Sequence, residues 1–125
     1  LNKKDVVVLD MGAGIEHLTR GTSKGVDSIV VVTEPTLVSV QTAKVVTNLA
    51  HELEIKNVKF IGNKIRRPEE KAFLLKHLPN EDLLGCVSYN EHMLDAALGI
   101  ESSEGADGFE KDMDLIYQNL MKTFC

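Results

Sequence analysis

Short β-branched runs alternate along the chain with longer stretches whose apolar residues recur at helical spacing. The first run, Val6-Val7-Val8-Leu9, is too short for an independent helix. It predicts a strand buried on both faces, the kind found in parallel sheets. Ser28–Thr33 (SIVVVT) predicts a second strand and Val58–Gly62 (VKFIG) a third. Leu83–Tyr89 predicts a fourth, weaker one around Gly85-Cys86-Val87.

Helices are expected between them. A short one over Glu16–Arg20 gives way to a turn near Gly21 and Gly25. Pro35 lacks a backbone donor and suits the end of the second strand. Thr36 then caps a helix from Leu37 to Leu53, with Val38, Val45, Val46, Leu49 and Leu53 as its apolar positions. Pro68 opens a helix to about Leu78, with Ala72, Leu75 and Leu78 on one side, and Pro79-Asn80 ends it. Asn90 caps a helix to about Leu98, stopped by Gly99. Glu101–Gly108 is polar and reads as a loop. Asp107 and Glu110 form a capping-box pair for a last helix, Phe109–Phe124. Its stripe Phe109, Met113, Ile116, Leu120 and Phe124 is expected to pack on the sheet rather than on a cofactor. Four strands alternating with helices predict an α/β fold: a mainly parallel sheet flanked by helices, with right-handed crossovers.

Composition narrows the classes. The chain has 125 residues, 43% hydrophobic and 26% charged, which suits one soluble domain. A net charge of −5 with dispersed Lys and Arg argues against a nucleic-acid binder. No apolar stretch approaches the ~18 residues that a membrane span needs. No signal peptide is visible, and Cys86 and Cys125 form no CxxC pair, so a reducing cytoplasm is expected. The chain begins Leu1-Asn2-Lys3-Lys4 without Met, as a fragment or a processed product would.

The chemistry concentrates where the strands end. Asp10 follows the first strand and precedes Gly12 and Gly14. In open α/β sheets that edge binds ligands. A strand-end Asp before a glycine loop is also how P-loop NTPases hold Mg²⁺ and sense a terminal phosphate. The bland alternative is that Asp10 caps a tight turn.

DVVVLDMGAGIEHLTRGT, VVVTEPTLVSVQTAKVV, FIGNKIR and GCVSYNEHMLDAAL, in that order, resemble the carboxyl-terminal half of MinD/ParA-like P-loop ATPases. Within that group the likeness is strongest to the nickel-insertion accessory ATPases of carbon monoxide dehydrogenase. It runs from about Asp5 to about Gly99. The chain then reads as one domain, 1–125, with 1–100 in the family pattern and 101–125 as a loop and terminal helix. The resemblance implies a partial P-loop NTPase fold of three layers.

It also implies roles for named residues. Asp10 matches the aspartate that holds Mg²⁺ through water, and Gly14 the glycine whose N–H reaches the γ-phosphate. Asn63, beside Lys64, matches the residue that hydrogen-bonds the adenine edge. Ser88 and Tyr89 match the loop that covers the base. Glu34-Pro35 and the following helix match a segment that helps form an ATP-dependent homodimer. The residue types suit these roles, since a carboxylate binds a hard cation, a glycine allows close approach and an amide pairs with a purine edge. Mg-ATP is the implied cofactor and a metalloenzyme such as carbon monoxide dehydrogenase the implied client.

Departures limit the carry-over. Gly12 stands where relatives usually carry Glu, and Ser88 where they carry Pro. The lysine-bearing phosphate loop, GKGGxGKT, is not in the sequence, nor is the Cys-x-Cys pair of the nickel branch. Cys86, Cys125, His17, His51, His77 and His92 match no known ligands, so nickel is not expected on this chain. Isolated, the chain is expected to bind ATP poorly and to hydrolyse it negligibly. In the family the phosphate-loop strand lies between the Asp10 strand and the Ser28–Thr33 strand. Without it, those two strands are expected to pair directly, or a second chain to cover the edge. Two other readings stand beside this one: a partitioning or scaffold ATPase of the same fold, and a non-catalytic α/β interaction module.

Overall fold

The computed structural model describes residues 6–10, 25–91, 98–99 and 106–124. The elements are β1 (Ser28–Thr33), α1 (Leu37–Glu52), β2 (Asn57–Ile65), α2 (Pro68–His77), a 3₁₀ turn (Asn80–Asp82), β3 (Leu83–Ser88) and α3 (Ala106–Phe124). The sheet runs β1-β2-β3 with both pairings parallel. This is the α/β architecture that the alternating pattern predicts.

One face of the sheet carries the main core. Ile29, Val31 and Thr33 of β1 stand in register with Val58, Phe60 and Gly62 of β2. Val40, Ala43 and Ala50 of α1 close over them, joined by Leu74 of α2 and by Leu78. The buried side of α1 therefore differs from the expected one. Val38 is 74% exposed and Val45 45%, while Ala43 and Ala50 are fully buried. Bulky side chains on the sheet leave room for small ones on the helix, and hydrophobicity alone does not rank alanine above valine.

Gly62 shows how close this packing is. A Cβ there would lie 2.7 Å from Leu74 Cδ1 and 2.9 Å from Cys86 Sγ. Leu74 is fully buried and has little room to move.

On the other face, α3 docks against β3 around Ile116, which is 3% exposed. Gly85 makes room for it, since a Cβ would lie 2.8 Å from Ile116 Cγ1. Polar side chains complete the contact. Asp112 Oδ2 accepts the Ser88 N–H at 3.0 Å, and Asn119 Nδ2 donates to the Leu84 carbonyl at 2.6 Å. Met113 of the expected stripe is exposed instead. The helix starts at Ala106, three residues before the expected Phe109, which places Asp107 within the helix rather than at its cap.

Val6–Leu9 overturn an expectation. They form no strand and are 51–81% exposed. Direct pairing with β1 is not formed. A parallel strand buried on both faces needs a ladder partner and cover on both sides. β1 itself offers a half-covered neighbour, with Val30 and Val32 exposed at 36% and 59%. The expected helix over 16–20 lies outside the described residues, as do residues 92–97 of the helix expected from Asn90 to about Leu98 and most of the expected loop from Glu101.

Candidate functional site

Parallel strands bring all three carboxyl ends to one rim, the edge of an α/β sheet where ligands bind. At the end of β1 a reciprocal cap fixes the turn. Thr36 Oγ1 accepts the Ser39 N–H at 3.1 Å, and Ser39 Oγ accepts the Glu34 N–H at 2.9 Å. The Thr36 N–H also donates to the Glu34 carbonyl at 2.8 Å. Glu34 is thereby held at the mouth of the sheet.

β2 continues past Gly62 to Ile65, further than its apolar run predicts, and its pairing with β3 is irregular between Gly62 and Ile65. Lys64 adopts φ +58, the left-handed region that non-glycine residues seldom occupy. Its Nζ lies 2.9 Å from Glu34 Oε1. Both side chains are well exposed, so the pair orients more than it stabilises. Asn63, half-buried, precedes it within the irregular stretch.

β3 reaches the same rim. Ser88 pairs with Ile65, and the Tyr89 N–H donates to the Ile65 carbonyl at 2.7 Å. Arg66 then lays its guanidinium over the Tyr89 ring, 4.0 Å from the centroid. Among the described residues, then, Asn63, Lys64, Ser88 and Tyr89 meet at one edge. Asp10 is exposed and belongs to no strand, and Gly14 lies outside the described residues. Motif and spacing do not mark Glu34 as an ion-pair partner, nor Arg66 or Asp112 as residues of the rim. The signal that could mark Arg66 is a planar cation three residues after an amide at a strand end.

Two titrations are shifted near the rim. Glu70 is held below the usual carboxylate range, chiefly by the Arg66 N–H and next by that of Arg67, against some desolvation. Its Oε1 accepts these two N–H groups at 2.6 and 3.0 Å. The Cys86 thiol is pushed up, mainly by burial. Below the rim, the Thr33 hydroxyl is buried and has no partner among the described residues.

The arrangement fits a planar base better than a phosphate chain. An amide, an aromatic ring and a guanidinium over that ring all stand at the ends of β2 and β3. Of the carboxylates, Glu34 stands at the mouth of the sheet, paired with Lys64, while Asp10 is exposed and outside the sheet. A lone carboxylate such as Asp10 could hold Mg²⁺ only if the cation kept its waters and took its other ligands from a nucleotide. A concavity of about 590 Å³ lined by Asn57, Lys59, Glu81, Leu83 and Asn119 sits where β2 and β3 begin, at the opposite end from the rim.

The carbon monoxide dehydrogenase accessory protein CooC of Rhodospirillum rubrum is 42% identical over 88 residues, covering 70% of this chain and 34% of its own length. This similarity agrees with the resemblance to MinD/ParA-like ATPases of the carbon monoxide dehydrogenase accessory type. An uncharacterised ATP-binding protein of Methanocaldococcus jannaschii is 44% identical over 98 residues, 75% of this chain and 37% of its own. A second from that organism is 32% identical over 98 residues, 78% of this chain and 39% of its own. No family model matches. The chain spans about a third of the length of these curated relatives.

Proposed function

We propose that this chain is the base-holding, distal part of an ATPase that serves as an accessory to nickel insertion into carbon monoxide dehydrogenase. The observation that carries this is the rim itself, where Asn63, Tyr89 and Arg66 come together at the carboxyl ends of β2 and β3. The relatives' names, a carbon monoxide dehydrogenase accessory protein and ATP-binding proteins, point the same way.

In this reading Asn63 offers a donor and an acceptor to the adenine edge. Ser88 and Tyr89 wall the base, and Lys64 supports Asn63 through Glu34. Asp10 holds Mg²⁺ through water, and the Gly14 N–H meets the γ-phosphate. Phosphate contacts and transition-state charge in such enzymes come chiefly from a lysine-bearing glycine loop. The 125 residues contain none. Nucleotide-driven homodimerisation in the cytoplasm and delivery of nickel to a client enzyme complete the proposal.

Calorimetry of the chain with Mg-ATP tests it, alone and joined to a preceding segment that carries a GKGGxGKT phosphate loop. Weak binding alone and micromolar binding when joined support the reading. Micromolar binding by the chain alone would contradict the assigned division of labour.

One observation favours a second reading, a non-catalytic interaction module. Val6–Asp10 are exposed and outside the sheet, where a catalytic Asp10 strand would be packed. Failure of the joined protein to bind Mg-ATP would favour it.

A further inference from the structure

Arg66 has no place in the roles considered so far, yet its guanidinium lies over Tyr89, 4.0 Å from the ring centroid. The backbone of each partner is pinned. The Arg66 N–H is fixed by Glu70 Oε1 at 2.6 Å, and the Tyr89 N–H by the Ile65 carbonyl at 2.7 Å. Each residue stands one step beyond the paired residues Ile65 and Ser88, so the stack crowns the rim directly above the β2–β3 ladder. Neither ion pair among the described residues uses Arg66. Arg66 is exposed and Tyr89 half-buried. One side of the guanidinium is thus covered by the ring and the other side is open to solvent.

We propose that Arg66, backed by Tyr89, is a stacking platform for a purine base, which lies on the open face of the guanidinium while Asn63 takes its edge. The inference rests on the nucleotide reading above but sets the Arg66 guanidinium between Tyr89 and the base, so that Tyr89 walls the base only through it. The physical case has three parts. A guanidinium is planar and delocalised, and it stacks on π systems from either side. A preassembled pair loses less entropy than a free side chain when a third planar group joins it. Asn63 precedes Arg66 by three residues on the same strand end, so edge and face contacts can serve one base. Lysine cannot replace arginine here, because a compact ammonium presents no plane.

The test uses the 125-residue chain and 2-aminopurine riboside 5′-triphosphate. Anisotropy reports binding, and quenching of the base reports stacking. The expected result is a rise in anisotropy with quenching for the unaltered chain. Arg66→Ala and Arg66→Lys should both lose the quenching and about five-fold or more in affinity, with thermal midpoints unchanged. If both variants bind and quench like the unaltered chain, the platform is wrong and the nucleotide reading survives. If the unaltered chain shows no anisotropy change even at millimolar probe, both fail. Quenching in the unaltered chain is read without any variant, so a variant that folds poorly does not decide the outcome.

Discussion

Lys64 Nζ lies 2.9 Å from Glu34 Oε1, joining the irregular end of β2 to the turn that leaves β1. The bond holds a lysine whose backbone is in the left-handed region, next to the amide that the proposed site uses. Because both side chains are exposed, Glu34→Gln should change unfolding free energy by less than about 1 kcal/mol. Urea melts measure this. A nucleotide affinity that falls in the same variant would show the pair acting on the orientation of Asn63 rather than on the fold.

Gly62 predicts a sharper effect. Gly62→Ala forces a methyl against Leu74 Cδ1 and Cys86 Sγ, both inside a close-packed face. It should destabilise by about 1–3 kcal/mol. Gly85→Ala makes the same clash on the opposite face, against Ile116. Thermal or urea unfolding of either variant at the level of the unaltered chain would show the two helices sitting further from the sheet.

Thr33 predicts the opposite sign. Its hydroxyl is buried and lacks a partner among the described residues. Thr33→Val keeps the shape and removes an unsatisfied group. It should stabilise by roughly 1 kcal/mol. A loss of stability instead would reveal a bound water or ligand on that hydroxyl.

Glu70 sets an acid-side dependence. Its folded pKa is lowered, first by the Arg66 N–H and then by that of Arg67. A lowered carboxyl pKa contributes stability above its unfolded value, and that contribution is lost as pH falls through the folded value. Glu70→Gln should therefore be less stable than the unaltered chain at neutral pH, with the gap closing in acid. Urea melts across an acid series follow the gap, and a gap that widens in acid has the wrong sign for this account.

Much of this architecture is legible in residue order. The runs at Ser28–Thr33 and Val58–Gly62 are β1 and the core of β2, and Thr36 caps α1 as its hydroxyl suggests. What periodicity misses is decided by volume and by partners. Ala43 and Ala50 rather than Val38 and Val45 face the sheet, because the sheet side chains are already large. Asp112 and Asn119 hold α3 to β3 by bonding backbone groups, which an apolar stripe does not reveal. Val6–Leu9 read as a strand by composition, but a strand exists only with a neighbour. At the site, Asn63 and Tyr89 are visible as strand-end residues. Arg66 is not, because its role depends on the irregular β2–β3 ladder that sets it over the ring.

The central claim is that the ends of β2 and β3 form the base side of a nucleotide site. Amide and side-chain NMR of the 125-residue chain titrated with adenosine 5′-diphosphate tests it most directly. The account predicts millimolar binding with shifts confined to Asn63, Lys64, Arg66, Ser88 and Tyr89, and none around Asn57 and Asn119 at the far end. Shifts clustered at that far end, or no shifts at saturating nucleotide, would contradict it.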